Sequence, residues 1–117
     1  MEIKGVKAIE YLNNELSILN SQVIEIRMVS TLENYDIILF LKVKEITIEI
    51  NFENILEFSF YHNSAHIFYN VEDYKLLYHE DLEEYYLSLD PNNDFNDICE
   101  TDGDFLKAKN MKVKINI

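Results

Sequence analysis

Tyr35-Asp36-Ile37-Ile38-Leu39-Phe40-Leu41-Lys42-Val43 is followed, after Lys44-Glu45, by Ile46-Thr47-Ile48-Glu49-Ile50-Asn51-Phe52. In the second run Ile46, Ile48, Ile50 and Phe52 alternate with Thr47, Glu49 and Asn51. A period of two sends successive side chains to opposite faces of a strand, so this is a half-buried antiparallel pattern. The first run alternates through Tyr35, Ile37, Leu39, Leu41 and Val43, but Ile38 and Phe40 make its other face apolar too. Apolar residues on both faces predict a central strand, with a helix covering one of them.

On the N-terminal side, Ile24, Ile26 and Met28 alternate with Glu25 and Arg27, which predicts another strand. Before it, Val6, Ile9, Leu12, Leu16 and Leu19 recur at spacings of three and four. That places them on one stripe of a helix, which Asn20-Ser21 would stop and Asn13-Asn14 would weaken. On the C-terminal side, Glu53-Asn54 and Asn63-Ser64 read as turns around a strand over residues 56–61. Further strands are expected over 65–69, 74–79 and 84–89. Asp90-Pro91-Asn92-Asn93 ends the last, because Pro cannot donate a ladder hydrogen bond.

After it, Asp94 is expected to cap a short helical turn reaching Glu100, with Phe95, Ile98 and Cys99 inward. Asp102-Gly103 reads as a hairpin turn. Val113, Ile115 and Ile117 then alternate with Lys112, Lys114 and Asn116. Lysines on a terminal strand suit an exposed edge, where charge discourages edge-to-edge pairing. The expectation is a single α+β domain over residues 1–117. Its N-terminal helix packs on a meandering antiparallel sheet of about six to eight strands, curled or split into two sheets.

A chain of 117 residues is one domain by length and buries roughly 65% of its unfolded surface. Its net charge is −12, and the charge is unevenly placed. From Glu45 to Leu106 there are sixteen acidic residues and one basic residue, Lys75. The densest part, from His79 to Asp104, holds Glu80, Asp81, Glu83, Glu84, Asp90, Asp94, Asp97, Glu100, Asp102 and Asp104. Such a surface repels phosphate backbones and anionic membranes, which excludes nucleic acid and membrane as partners and points to a cationic protein. Cys99 is the only cysteine, so no disulfide forms within the chain, as suits a reducing compartment. Met1-Glu2-Ile3-Lys4-Gly5 lacks the features of a signal peptide, so a cytoplasmic location is expected.

Catalytic and metal signatures are weak. Gly5 and Gly103 are the only glycines, too few for a P-loop or a dinucleotide fold. An EF-hand loop starting at Asp90 would put Phe95 where Gly is needed and Thr101 where Glu is needed. A looser calcium site from Asp90, Asp94, Asp97 and Asp102 is the alternative. His62-x-x-x-His66, with His79 as a third ligand, has metal-ligand spacing but lacks the Glu that makes such a pair informative. Cys99 sits in an apolar-periodic turn, where a buried inert thiol is the default. No Trp is present to stack a sugar, and no nucleophile and base stand at motif spacing, so no enzyme is expected.

The tyrosines suggest an interface. Tyr85 shares parity with Leu87 and Leu89, which predicts a core position. Tyr86 shares parity with Ser88 and Asp90, which predicts that it faces solvent or a partner. Aromatic anchors among acids are common at interfaces. The expected partner-binding set is therefore Glu80, Asp81, Glu83, Glu84, Tyr86, Asp94, Asp97, Glu100, Asp102 and Asp104, with no catalytic residue, no metal and no cofactor.

Three short stretches carry a resemblance: Phe52-Glu53-Asn54-Ile55-Leu56-Glu57-Phe58, Tyr85-Tyr86-Leu87-Ser88-Leu89-Asp90-Pro91 and Asp102-Gly103-Asp104-Phe105. Together, over about the second half of the chain, they resemble small acidic immunity proteins of bacterial polymorphic toxin systems. The resemblance implies a non-enzymatic inhibitor that occludes the site of a cationic, nuclease-like toxin domain. The alternative is a small ligand- or metal-binding (calcium) α+β domain without catalysis. A structural or assembly subunit is a third reading, separated from the first only by its partner.

Overall fold

The computed structural model describes residues 1–61 and 70–116. In chain order the described elements are β1 (Glu2–Lys4), α1 (Val6–Glu10), a π-helical turn (Tyr11–Glu15), β2 (Gln22–Ser30), β3 (Tyr35–Val43), β4 (Ile46–Ser59), β5 (Lys75–His79), β6 (Glu84–Asp90) and β7 (Gly103–Asn116). The strands form one antiparallel sheet in the order β2-β3-β4-β7-β6-β5, with β1 also paired to β7. This is the α+β architecture expected, a short N-terminal helix with a sheet of seven strands. The sheet curls instead of splitting. Gln22 at the start of β2 bridges to Asn70. Backbone bonds from Asn20 to Val71 (2.7 Å) and from Val71 to Ser21 (2.9 Å) hold that corner, just ahead of β5.

The core lies on the concave side. Ile37, Leu39 and Leu41 of β3, Ile48, Ile50 and Phe52 of β4, and Leu106, Ala108 and Val113 of β7 are buried there with Ala8, Leu12 and Ile18. The alternation read in β3 and β4 is thus realised, and Ile38 and Phe40 are half-covered on the other face.

Gly5 turns the chain from β1 into α1 at φ 69°, a left-handed conformation that costs glycine nothing. The helix is shorter than its stripe predicts. Leu16 leaves it at φ −123°, ψ 86°, so Leu19 is exposed and Ile18 takes the inward position; within α1, Val6 is exposed and Ala8 is buried. Asn13 favours the early end, because its side-chain amide donates outward to the Leu76 carbonyl at 3.0 Å.

Four further expectations are corrected. Glu53-Asn54 is no turn: β4 runs through it as one 14-residue strand. Asn54 takes φ 57°, and its N–H donates to Asp36 Oδ1 at 2.9 Å. A residue type that tolerates left-handed backbone was absorbed within the strand. Asp102-Gly103 is no hairpin turn either, since β6 and β7 are joined by the long segment 91–102. β7 is not an edge but the middle of the sheet, flanked by β4 and β6. Its lysines answer the acids of β4: Lys114 stands opposite Glu49, and Lys107 Nζ lies 3.4 Å from Glu57. Finally, a bulge between Val23 and Glu25 breaks the alternation in β2 and leaves Ile24 exposed; Met28, opposite Ile37 in regular register, is exposed as well. The expected turn at Asn63-Ser64, the strand over 65–69, His62, His66 and Ile117 lie outside the described residues.

Candidate partner-binding site

The acidic region is built on the β5–β6 hairpin, where Lys75 pairs with Ser88 and His79 with Glu84. Residues 80–83 make the turn. Glu83 donates its N–H to the Glu80 carbonyl at 3.3 Å and takes φ 54°, and the Leu82 N–H donates to His79 Nδ1 at 3.3 Å. Segment 91–102 then folds back across β6. It contains no helix, and Asp94 caps nothing: its own N–H donates to Asn92 Oδ1 at 3.0 Å.

A single buried carboxylate shapes that segment. Asp102 accepts hydrogen bonds from Tyr86 Oη (2.7 Å), the Asn92 N–H (2.7 Å), the Cys99 N–H (3.1 Å) and Lys75 Nζ (3.0 and 3.1 Å). Its side chain has 0% exposure and that of Lys75 9%. Lys75 Nζ spends its other protons on the carbonyls of Asp97 (2.8 Å) and Asn92 (3.3 Å). Burial alone pushes the Asp102 carboxyl up. The hydrogen bonds from Tyr86, Asn92, Lys75 and Cys99 outweigh it and hold the group below its usual range. The Tyr86 hydroxyl is pushed well above its usual range, first by burial and then by its bond to the Asp102 carboxylate. Lys75, the one basic residue of the acidic tract, is thus the clasp of segment 91–102.

This arrangement sorts the expected site residues. Glu80, Asp81 and Asp97 come together around an open cleft of about 510 Å³, which Leu77, Tyr78, His79, Phe95 and Asn96 complete. His79 Nε2 lies 3.6 Å from Asp97 Oδ2 across it. Glu83 is exposed on the adjoining turn and Asp94 on segment 91–102. Glu100 is apart, lining a second hollow of about 280 Å³ with Glu57, Phe105 and Lys107. Glu84 is half-buried, with Oε2 shielded from solvent and without a hydrogen-bond partner among the described residues.

Three expected residues do not face outward. Tyr86 is 1% exposed, because segment 91–102 covers the side of β6 that parity assigned to solvent. Asp102 and Asp104 are buried, and Asp104 Oδ1 accepts the Tyr61 N–H at 2.8 Å. Tyr85, expected in the core, is only half-buried beside Tyr78, with ring centroids 4.7 Å apart.

Sequence reasoning missed two apolar groups. Phe95, expected inward, is 57% exposed, and Leu82 at the tip of the β5–β6 turn is 56% exposed. The signal was present: Asp94-Phe95-Asn96-Asp97 and Asp81-Leu82-Glu83 each hold one apolar residue in a polar run, with no period to bury it.

Comparison of the chain with family models, with curated proteins and with solved structures finds no match. Among the described residues no three His, Cys, Asp or Glu side chains converge as a metal site. The looser calcium set of Asp90, Asp94, Asp97 and Asp102 has a physical obstacle, since the Lys75 ammonium already fills the cation position at Asp102. Among the described residues no helix is long and apolar enough to cross a membrane.

Proposed function

We propose that the chain is an acidic protein-binding module, most concretely an immunity protein that neutralises a cationic toxin domain by occluding its site. The observation that carries this reading is the cleft of Glu80, Asp81 and Asp97 with Phe95 exposed on its wall. Acids around an exposed aromatic ring suit a lysine or arginine side chain, whose stem packs on the ring while its charge meets the carboxylates. The clasp between Lys75 and Asp102 holds one wall in place before binding, which lowers the ordering cost of association. Acids beyond the cleft, such as Glu83 and Asp94, steer the approach of a positive partner. Blocking of this kind needs no turnover, so the protein acts as an inhibitor and not as an enzyme.

The test uses the basic protein encoded beside this chain's gene, with binding followed across a salt series. The parent should associate fast at low salt and slow markedly as ionic strength rises. Phe95→Ala should lose about 2 kcal/mol of binding with the fold intact, and the pair Glu80→Gln and Asp81→Asn should reduce the association rate. If Phe95→Ala and the amide pair bind like the parent and salt has no effect, the acidic cleft is only a solvated surface.

A further inference from the structure

We propose that the outer edge of β2 pairs with β2 of a second copy of this chain, antiparallel about a two-fold axis at Ile26. The acidic cleft lies at the β5 end of the strand order and β2 at the opposite end, so the proposal stands independently of the function above.

The first observation is that, among the described residues, β2 is a long edge without the usual protection. Among the described residues its only strand partner is β3, and Gln22 is tied to Asn70 at its very start. Natural sheets blunt such edges with lysines, prolines or a covering element. Here the lysine-rich strand is the central β7, whereas β2 carries Ile24 (56% exposed), Met28 (44%) and Val29 (37%). The edge formed by β5 differs, because the Asn13 side chain caps the Leu76 carbonyl there.

The second observation is charge. In a chain of net charge −12, β2 carries one acid and one base, Glu25 and Arg27. They stand two apart on the same face, with Glu25 opposite Phe40 and Arg27 opposite Ile38. Arg27 Nη2 lies 3.0 Å from Glu25 Oε1, and the guanidinium sits over the Phe40 ring, 4.7 Å from its centroid. Antiparallel pairing with Ile26 facing its own copy sets Glu25 of each chain directly across from Arg27 of the other. Opposite charges so placed attract and like charges repel. The strand is therefore self-complementary in charge in one register. Ile26 opposes Leu39, so in that register the two Ile26 side chains meet on the core face of a sheet continuous through both copies.

Sedimentation of the full chain over a concentration range reaching about 100 μM should show a monomer–dimer equilibrium. Glu25→Arg puts two arginines across from each other at both ends of the axis, and Arg27→Glu puts two glutamates there. Each variant alone should weaken dimerisation by more than about tenfold. Mixed together, the two variants restore opposite charges at every crossing, so a heterodimer should reappear. Both positions are exposed, and circular dichroism of each variant checks the fold. A parent that is monomeric throughout overturns the proposal and leaves the edge to a strand of another protein. Variants that dimerise like the parent, or monomeric variants that fail to associate on mixing, overturn the proposed register.

Discussion

Replacing Lys75 by Met tests how the acidic region is held together. The substitution keeps most of the aliphatic stem and removes the ammonium. Asp102 would then remain as a carboxylate with no exposed surface and no counter-charge, and the carbonyls of Asp97 and Asn92 would lose their donor. Breaking one side of a buried pair costs about 3–5 kcal/mol, because the remaining charge stays desolvated. The exposed pair of Arg27 and Glu25 is the contrast, with side-chain exposures of 52% and 47%. Pairs of that kind contribute about 0–1 kcal/mol, so Arg27→Gln serves as the control. Domains have total stabilities of about 5–15 kcal/mol, so Lys75→Met removes a large fraction. Urea unfolding should show the midpoint well below the parent, and the melting temperature should fall by ~10–25 °C. Native-state hydrogen exchange gives a second readout. The N–H groups of Asn92 and Cys99 donate to Asp102 and should lose protection as segment 91–102 loosens. A Lys75→Met protein that unfolds with the Arg27→Gln control and keeps both amides protected would refute the clasp.

The Asp102 carboxyl is held below its ordinary range in the folded chain, so its ionised form favours the fold above the ordinary value and that contribution is lost as pH falls through the folded value. Below about pH 4 the parent's urea midpoint should drop steeply, while Asp102→Asn, less stable at neutral pH, should drop less; equal slopes would exclude Asp102 as the acid-sensitive group. Asn54→Val places a β-branched residue at φ 57° in the middle of β4 and should cost ~1–2 kcal/mol in urea unfolding; a parent-like midpoint would show that the strand relaxes there without strain.

The local periods were enough for β3 and the first half of β4. Each alternates against a single apolar core, and a shift by one residue would turn the whole apolar row to solvent. They were not enough for positions whose environment comes from a distant part of the chain. Tyr86 has the parity of a solvent-facing residue, and segment 91–102 covers it. Lys112 and Lys114 have the look of an edge strand, yet β4 and β1 flank that stretch of β7, because strand order depends on which partner each ladder finds. Glu53-Asn54 carries turn chemistry, but a ladder to β7 that continues on both sides of it, with a register shift between Ile55 and Glu57, outweighs a local preference. The count of charges along the chain showed that the region from Glu80 to Asp104 is acidic. It did not show which acids reach solvent. Desolvating a carboxylate is unfavourable unless donors meet it, and the donors to Asp102 come from Lys75, Tyr86, Asn92 and Cys99. Composition therefore determined the sign of the surface, and tertiary structure decided which carboxylates form it and which one is buried to hold it in place.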